Sequence, residues 1–341
     1  MDADWISLMQ HLAPDLSEEM VRRTMILERI GTMQPVGRRQ LAASLHLPER
    51  EIRNTALLLK NLGYIRLDSG GMSLTEAANG ILPQAEAFSK VFSGIAEMEI
   101  ALSGKLGVDE VLIARGNADE EEATLAEVGR LCAGRLRSLL RNGSTLAVSG
   151  GNTVASVARA IQTSSPMNVM VVPARGGMGR SAELQANTLA SEIASRIGGH
   201  YRLIHIPDHL DEAAMQEMLK VSEVREVMDL VRRADIVLHG ISTGSGAVHD
   251  SRLSRKEQTL LKERNARGEC FGSYYDLDGN CLLRLSSVGV DLGKLNPSCQ
   301  MIAAAAGAVK AEAIIAVMRS LPHRLLVTDE SAALRMLELL G

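Results

Sequence analysis

The chain has 341 residues, 46% hydrophobic and 23% charged, with a formal net charge of −4. At about 100–200 residues per domain, it is long enough for two globular domains with a sizeable core. Aromatics are only 2%, which argues against a single-strand binder that stacks bases on aromatic rings; the acidic opening MDADWISLMQ has no signal-peptide pattern, and no apolar run reaches the ~18–20 residues of a membrane span.

In chain order, Ser17 followed by Glu18 and Glu19 reads as the N-cap of a first helix ending near Ile30-Gly31, with acids matched to the helix dipole. A second helix is expected from Arg38 to Leu45, a turn at His46-Leu47-Pro48, and a third helix from Glu49 to Leu62 stopped by Gly63. Extended pieces at Tyr64–Leu67 and Met72–Leu74 flank Asp68-Ser69-Gly70-Gly71, a hairpin signal. This is the order of a winged helix-turn-helix, over residues 1–80. From Leu74 to about Ser103 the pattern is helical again, with a break expected at Pro83. Residues 81–103 read as a linker helix between the domains, with a dimerisation element as the alternative.

From Gly104 to the end, strands expected at Asp109–Ala114, Thr145–Ser149, Asn168–Pro173, Tyr201–Ile206 and Asp235–Gly240 alternate with helices at 120–141, 153–162, 181–197, 211–220 and 222–233. That alternation implies an α/β effector domain over 104–341 with a doubly wound, mostly parallel sheet. A last helix is expected from Cys299 to Met318. Cys132, Cys270, Cys281 and Cys299 form no Cys-x-x-Cys pair. Reduced thiols in a cytoplasmic protein are expected, with no metal site, no cofactor and no membrane partner.

In the third helix, Ile52, Ala56, Leu59 and Leu62 fall at inward-packing positions, while Arg50, Arg53, Asn54 and Leu57 share another face. Arg and Asn are the side chains that pair bidentately with guanine and adenine edges in the major groove. Arg38 and Arg39 open the second helix, where it would cross the phosphate backbone, and Arg66 in the wing could reach a phosphate or the minor groove. Residues 22–66 carry nine Arg or Lys against three acids, a local +6 within an N-terminal segment that is −1 over 1–80. A merely solvated charged face is the bland alternative; the hairpin at wing spacing favours DNA.

Ser149-Gly150-Gly151-Asn152-Thr153 follows a strand and opens a helix. Glycines let the backbone approach an anion at which helical N–H groups point, and hydroxyls of Ser149 and Thr153 add donors. It is neither a Walker loop nor a dinucleotide fingerprint, and alone it could be an ordinary βα turn. Two further loops follow strands, Pro173-Ala174-Arg175-Gly176-Gly177 and Gly240-Ile241-Ser242-Thr243-Gly244-Ser245-Gly246. All three lie at C-terminal strand ends, where open α/β sheets bind ligands. Arg175 can make the bidentate phosphate contact. Lys310 either snorkels to solvent or reaches an anion site, and the second is preferred. Arg252, Glu269 and Gln185 are weaker candidates; Glu269 could accept from sugar hydroxyls.

These motifs resemble the sugar-binding regulators of the SorC/DeoR type, whose effector domain is similar to sugar-phosphate isomerases and deaminases, and the resemblance covers nearly the whole chain. It implies a repressor of glycolytic genes on palindromic operator DNA, a homo-oligomer (dimer or tetramer), and a sugar-phosphate effector, foremost fructose 1,6-bisphosphate. It further implies that Gly151, Asn152, Thr153, Arg175, Gly176, Gly177, Gln185, Thr243, Gly244, Arg252, Glu269 and Lys310 surround that effector. The rival is an isomerase or deaminase, which needs a carboxylate placed to move a proton beside a carbonyl. The second loop holds no acid, and His249-Asp250 read more readily as a cap for the next helix than as catalytic groups. No catalytic residue is therefore expected.

Overall fold

The computed structural model describes residues 12–341 except 46, 163–164, 177–180, 207–211, 250–252, 286–288 and 291. The chain divides into two compact units, the residues up to Met98 and Glu99–Gly341.

The first unit holds α1 (Pro14–Met33), α2 (Arg38–Leu45), α3 (Glu49–Asn61), the strands β1 (Ile65–Asp68) and β2 (Gly71–Leu74), and α4 (Glu76–Phe92). Ile26, Ile30, Val36, Leu41, Ile52, Leu59, Ile65 and Met72 form its core. Helix α1 starts earlier than expected because Pro14, favoured in a first turn, begins it. Ser17 is not the cap but sits one turn inside, its Oγ donating to the Ala13 carbonyl at 3.2 Å. The helix also passes through Gly31, a cost of only ~1 kcal/mol against the burial of Ile26 and Ile30, and ends where Gln34 turns extended ahead of Pro35. β1 and β2 pair antiparallel from Asp68↔Gly71; Val36 exchanges two backbone hydrogen bonds with Met72 (3.0 and 2.8 Å) and ties the hairpin to the segment before α2. Pro83 lies inside α4 and does not break it. One amide bond is lost there, while Ala78, Ala85 and Ser89 stay buried along the helix. The break comes instead at Ser93-Gly94, where Gly94 takes φ +74° before α5 (Ile95–Leu106), within which the division between the units falls.

The second unit is built on a seven-stranded parallel sheet of β3 (Glu110–Ala114), β4 (Thr145–Val148), β5 (Met170–Pro173), β6 (His200–Tyr201), β7 (Ile236–His239), β12 (Gln300–Ala304) and β13 (Leu325–Asp329), in the order β3-β13-β12-β7-β4-β5-β6. Alternate residues point to opposite faces. Leu146, Val148, Val171 and Leu238 pack against α6 (Glu122–Leu139), α7 (Asn152–Ala160) and α8 (Ala186–Ile197). Ala147, Val172 and Val237 pack against α10 (Ser222–Arg232), which follows α9 (Glu212–Met218). The sheet is thus doubly wound. A second, antiparallel sheet joins β8 (Ser242–Thr243), β9 (Gly268–Cys270), β10 (Ser273–Tyr275) and β11 (Cys281–Arg284). Leu261 of α11 (Arg255–Glu263) packs with Tyr274 beneath it.

The helix expected over Cys299–Met318 is a strand followed by a helix. Gln300–Ala304 is β12, flanked by β7 and β13; a 3-10 turn over Ala308–Lys310 then leads into α12 (Ala311–Ser320), and α13 (Glu330–Leu340) closes the chain. A short apolar run has no period that separates strand from helix, and a strand covered on both faces favours small buried residues over alternation. Of the strand expected over Tyr201–Ile206 only Tyr201 pairs, together with His200 before it, at the sheet edge.

Candidate functional site

β4 and β7 are neighbours from which the chain winds in opposite directions, the switch point where open sheets place ligands. The segments after β4, β5, β7, β9 and β12 converge there on a cleft of about 350 Å³ lined by Gly151, Asn152, Thr153, Arg175, Glu269 and Lys310, with Ser149, Gly150, His239, Gly240, Ile241, Ser242, Cys270 and Phe271 between them.

The first loop is forced by its glycines. A Cβ on Gly150 would strike the Leu184 carbonyl oxygen, and Gly151, at φ +114°, is the N-cap of α7. Gly151 N–H donates to that carbonyl at 2.9 Å. The amides of the first turn of α7 then have no acceptor within the helix and form its positive end. The second loop brings Arg175, whose Nη1 lies 3.8 Å from Glu269 Oε1 with both side chains mostly buried. Glu269 Oε1 also accepts from Gly272 N–H at 2.8 Å, so its charge is already engaged. At the end of β12, Gly307 N–H donates to Asp329 Oδ1 (2.8 Å), Ala118 N–H and Ser331 Oγ donate to Asp329 Oδ2 (2.8 and 2.7 Å), and Val309 N–H donates to Asp119 Oδ2 (3.2 Å). These bonds fix the turn that presents Lys310. Burial lowers the pKa of that ammonium, while Asp119 and Asp329 raise it. Lys310 caps the start of α12 rather than standing within a helix.

Gln185 directly follows Leu184 of the lining and Gly176 directly follows Arg175. Thr243 follows Ser242, and Gly244 is held against the backbone of Arg267, to whose carbonyl its N–H donates at 2.7 Å. Gly177, Arg252 and Asp250 lie outside the described residues, as does the side chain of His249. Phe271 was not anticipated, and His239, which directly precedes Gly240 of the third loop, was given no role from the sequence. His239 is fully buried, 2.8 Å through Nε2 from Nε2 of His323, and burial holds their pKa values down at about 4 and about 3. Among the described residues no cluster of three or more His, Cys, Asp or Glu could hold a metal ion, and no helix is long and apolar enough to cross a membrane.

In the first unit, α3 buries Ile52, Thr55, Ala56 and Leu59. Arg50, Arg53, Asn54 and Leu57 are exposed on it, as are Arg38 and Arg39 on α2 and Arg66 on β1. Leu62, expected inward, is 54% exposed; it is the C-cap of α3, its N–H still donating to the Leu58 carbonyl at 2.9 Å. Arg39 lies 3.6 Å from Glu49 but keeps 93% of its side chain exposed.

Residues 20–88 match the family model of the CggR N-terminal DNA binding domain, and residues 90–338 match that of the Sugar-bind family, a sugar-binding domain. The chain belongs to the SorC/DeoR-type sugar-binding transcriptional regulators. The regulator is 33% identical to the central glycolytic genes regulator of Priestia megaterium over 96% of each chain. It is 31% identical to the protein of that name from Bacillus subtilis, over 97% of this chain and 98% of the other. A SorC family regulator from Enterococcus faecalis is 31% identical, with a TM-score of 0.65, over 71% of this chain and 99% of that one. The full-length sorbitol operon regulator SorC from Klebsiella pneumoniae shares the fold at 21% identity and a TM-score of 0.65, over 94% and 98%. These relatives are regulators rather than enzymes, as the missing acid of the second loop led us to expect.

Proposed function

We propose that this regulator is a repressor of glycolytic genes whose grip on a palindromic operator is set by a sugar phosphate, foremost fructose 1,6-bisphosphate, in the cleft at the switch point. The convergence of Arg175, Lys310 and the N-terminus of α7 on one cleft carries the effector half of this reading. A helix N-terminus and two cations suit phosphate groups, and the intervening hydroxyls and Glu269 suit a sugar. Gly151, Asn152, Thr153, Arg175, Gly176, Gly177, Gln185, Thr243, Gly244, Arg252, Glu269 and Lys310 are the residues proposed to surround it. For the operator, α3 enters the major groove with Arg50, Arg53 and Asn54, while Arg38, Arg39 and Arg66 hold the backbone.

Such a protein works in the cytoplasm as a homo-oligomer, dimer or tetramer, with two α3 helices about 34 Å apart in successive grooves. The effector favours one packing of subunits over the other, since a ligand without such a preference shifts nothing. The test is the affinity for a palindromic fragment selected by the protein from a random DNA pool, measured with and without fructose 1,6-bisphosphate. The expected result is a changed affinity that Lys310→Ala abolishes without altering DNA binding. Equal affinities in the unmodified protein would refute the reading.

A further inference from the structure

His239 stands in the cleft wall, yet phosphate binding by the loops makes no use of it. Its Nδ1 lies 3.0 Å from the Gly240 carbonyl, its Nε2 lies 2.8 Å from His323 Nε2, and His323 Nδ1 lies 2.9 Å from the Leu321 carbonyl. A carbonyl oxygen only accepts, so each Nδ1 contact needs a proton on nitrogen, and the bridge between the rings needs a third. A neutral pair owns two protons. One of the three contacts must then set lone pair against lone pair. A third proton satisfies all of them and leaves the pair with one positive charge. Hydrogen bonding favours the charged pair and burial favours the neutral one; in the free cleft burial is the larger effect and keeps the pair neutral.

The pair is wired to the first glycine loop. Gly240 N–H donates to Ser149 Oγ at 3.1 Å, and that hydroxyl donates to the Gly150 carbonyl at 3.1 Å. The Phe271 ring packs on His239 at 4.9 Å. Titratable groups on the surrounding elements are Arg175, Glu269, Cys270 and Lys310, all on the cleft, and the Arg324–Asp109 pair (3.8 Å) beside His323 in the chain. Cys270 is buried with its thiol pKa raised, so it stays neutral. Arg175 and Lys310 stand with three carboxylates, Glu269, Asp119 and Asp329. Among the described residues, these fixed side-chain charges do not by themselves offset a ligand of about −1.5 to −2 per phosphate.

We infer that the His239–His323 pair is a positioning unit of this cleft that takes up one proton when an anionic ligand binds, making effector affinity proton-linked. This rests on the sugar-phosphate reading above. The sign follows from linkage. The ligand raises the proton affinity of the pair, so binding is strongest where the bound pair is protonated and weakens as pH rises through the bound-state midpoint. Burial holds the free pair below the usual imidazole range, so the linkage falls above its free-state midpoint.

Calorimetric titration of the full chain with fructose 1,6-bisphosphate from pH 5 to 8, in buffers of different ionisation enthalpy, tests it. The comparison is His323→Gln, whose amide can donate to His239 Nε2 without titrating. Protonation of the ligand's own phosphates is common to both proteins and cancels. Wild type is expected to take up as much as one proton more than His323→Gln, and to lose up to ~tenfold more affinity per pH unit. Equal uptake with intact binding would overturn the proton role and leave the sugar-phosphate reading standing. No binding by the wild type at any pH would overturn both. If His323→Gln does not fold, 15N-imidazole spectra of the wild type decide: a third N–H on the pair appearing with ligand supports the inference, and unchanged neutral rings refute it.

Discussion

Gly129 and Gly134 both lie in α6, so one substitution can be made in two environments on the same helix. A Cβ on Gly134 meets nothing within 4 Å. Gly134→Ala should therefore gain helix propensity, about 0.5–1 kcal/mol, and raise the melting temperature by ~2–4 °C for a unit of this size. A Cβ on Gly129 would lie 2.5 Å from Ser156 Oγ and 2.6 Å from the Ser156 carbonyl oxygen on α7. The hydroxyl cannot turn away freely, because it donates to the Leu125 carbonyl at 2.9 Å, and that bond is worth about 1 kcal/mol. Relieving the carbonyl contact means moving α7, an overpacking cost of ~1–3 kcal/mol. Against the propensity gain, Gly129→Ala should lose about 1–3 kcal/mol and melt several degrees lower. Because α7 carries Asn152 and Thr153 at its start, the same shift should weaken sugar-phosphate binding, which Gly134→Ala leaves alone. Thermal melts of the three proteins, with and without fructose 1,6-bisphosphate, check this. A Gly129→Ala protein melting at or above the Gly134→Ala protein would refute this close packing of α6 on α7.

Arg175→Ala removes a charge-assisted contact and leaves the Glu269 carboxylate facing the ligand. At about 1.5–3 kcal/mol, sugar-phosphate affinity should fall ~10–150-fold, with Arg175→Lys recovering only part since the fork is lost; an unchanged Kd by calorimetry would remove Arg175 from the site. Arg53→Ala should weaken operator binding by about 1–3 kcal/mol while the ligand-induced rise in melting temperature persists, which a gel-shift titration and a melt together would establish. Ser254 caps α11 in a capping box, accepting from Glu257 N–H while the Glu257 carboxylate accepts from Ser254 N–H. Ser254→Ala should cost about 1 kcal/mol and lower the melting temperature by ~2–4 °C, with no change in ligand affinity.

Much of the molecule was legible because it is written in local periods. The exposed face of Arg50, Arg53 and Asn54 follows from 3.6 residues per turn, and the strand–Gly–Gly–helix signature of Ser149–Thr153 follows from what a backbone needs to approach an anion. Both are decided within a dozen residues of chain. Ser17 and Pro83 misled for a physical reason: a capping residue is a preference of about 1 kcal/mol and an interior proline costs about 3 kcal/mol, local terms that the packing around Ile26, Ile30 and Ala85 overrides.

Tertiary structure decided what no local period encodes. The run Gln300–Ala304 became a central strand because β7 and β13 lie on either side of it, not because of its own propensity. Glu269 came to face Arg175, and Asp329 to hold Gly307, across long separations in the chain. His239 and His323 are 84 residues apart and look like two ordinary histidines in the sequence. The sequence by itself determined the α/β alternation, the glycine loops and the exposed polar face of α3, because those depend on neighbours along the chain. The fold alone decided which charged and titratable groups meet in the cleft, because electrostatic energy depends on distance and burial in space.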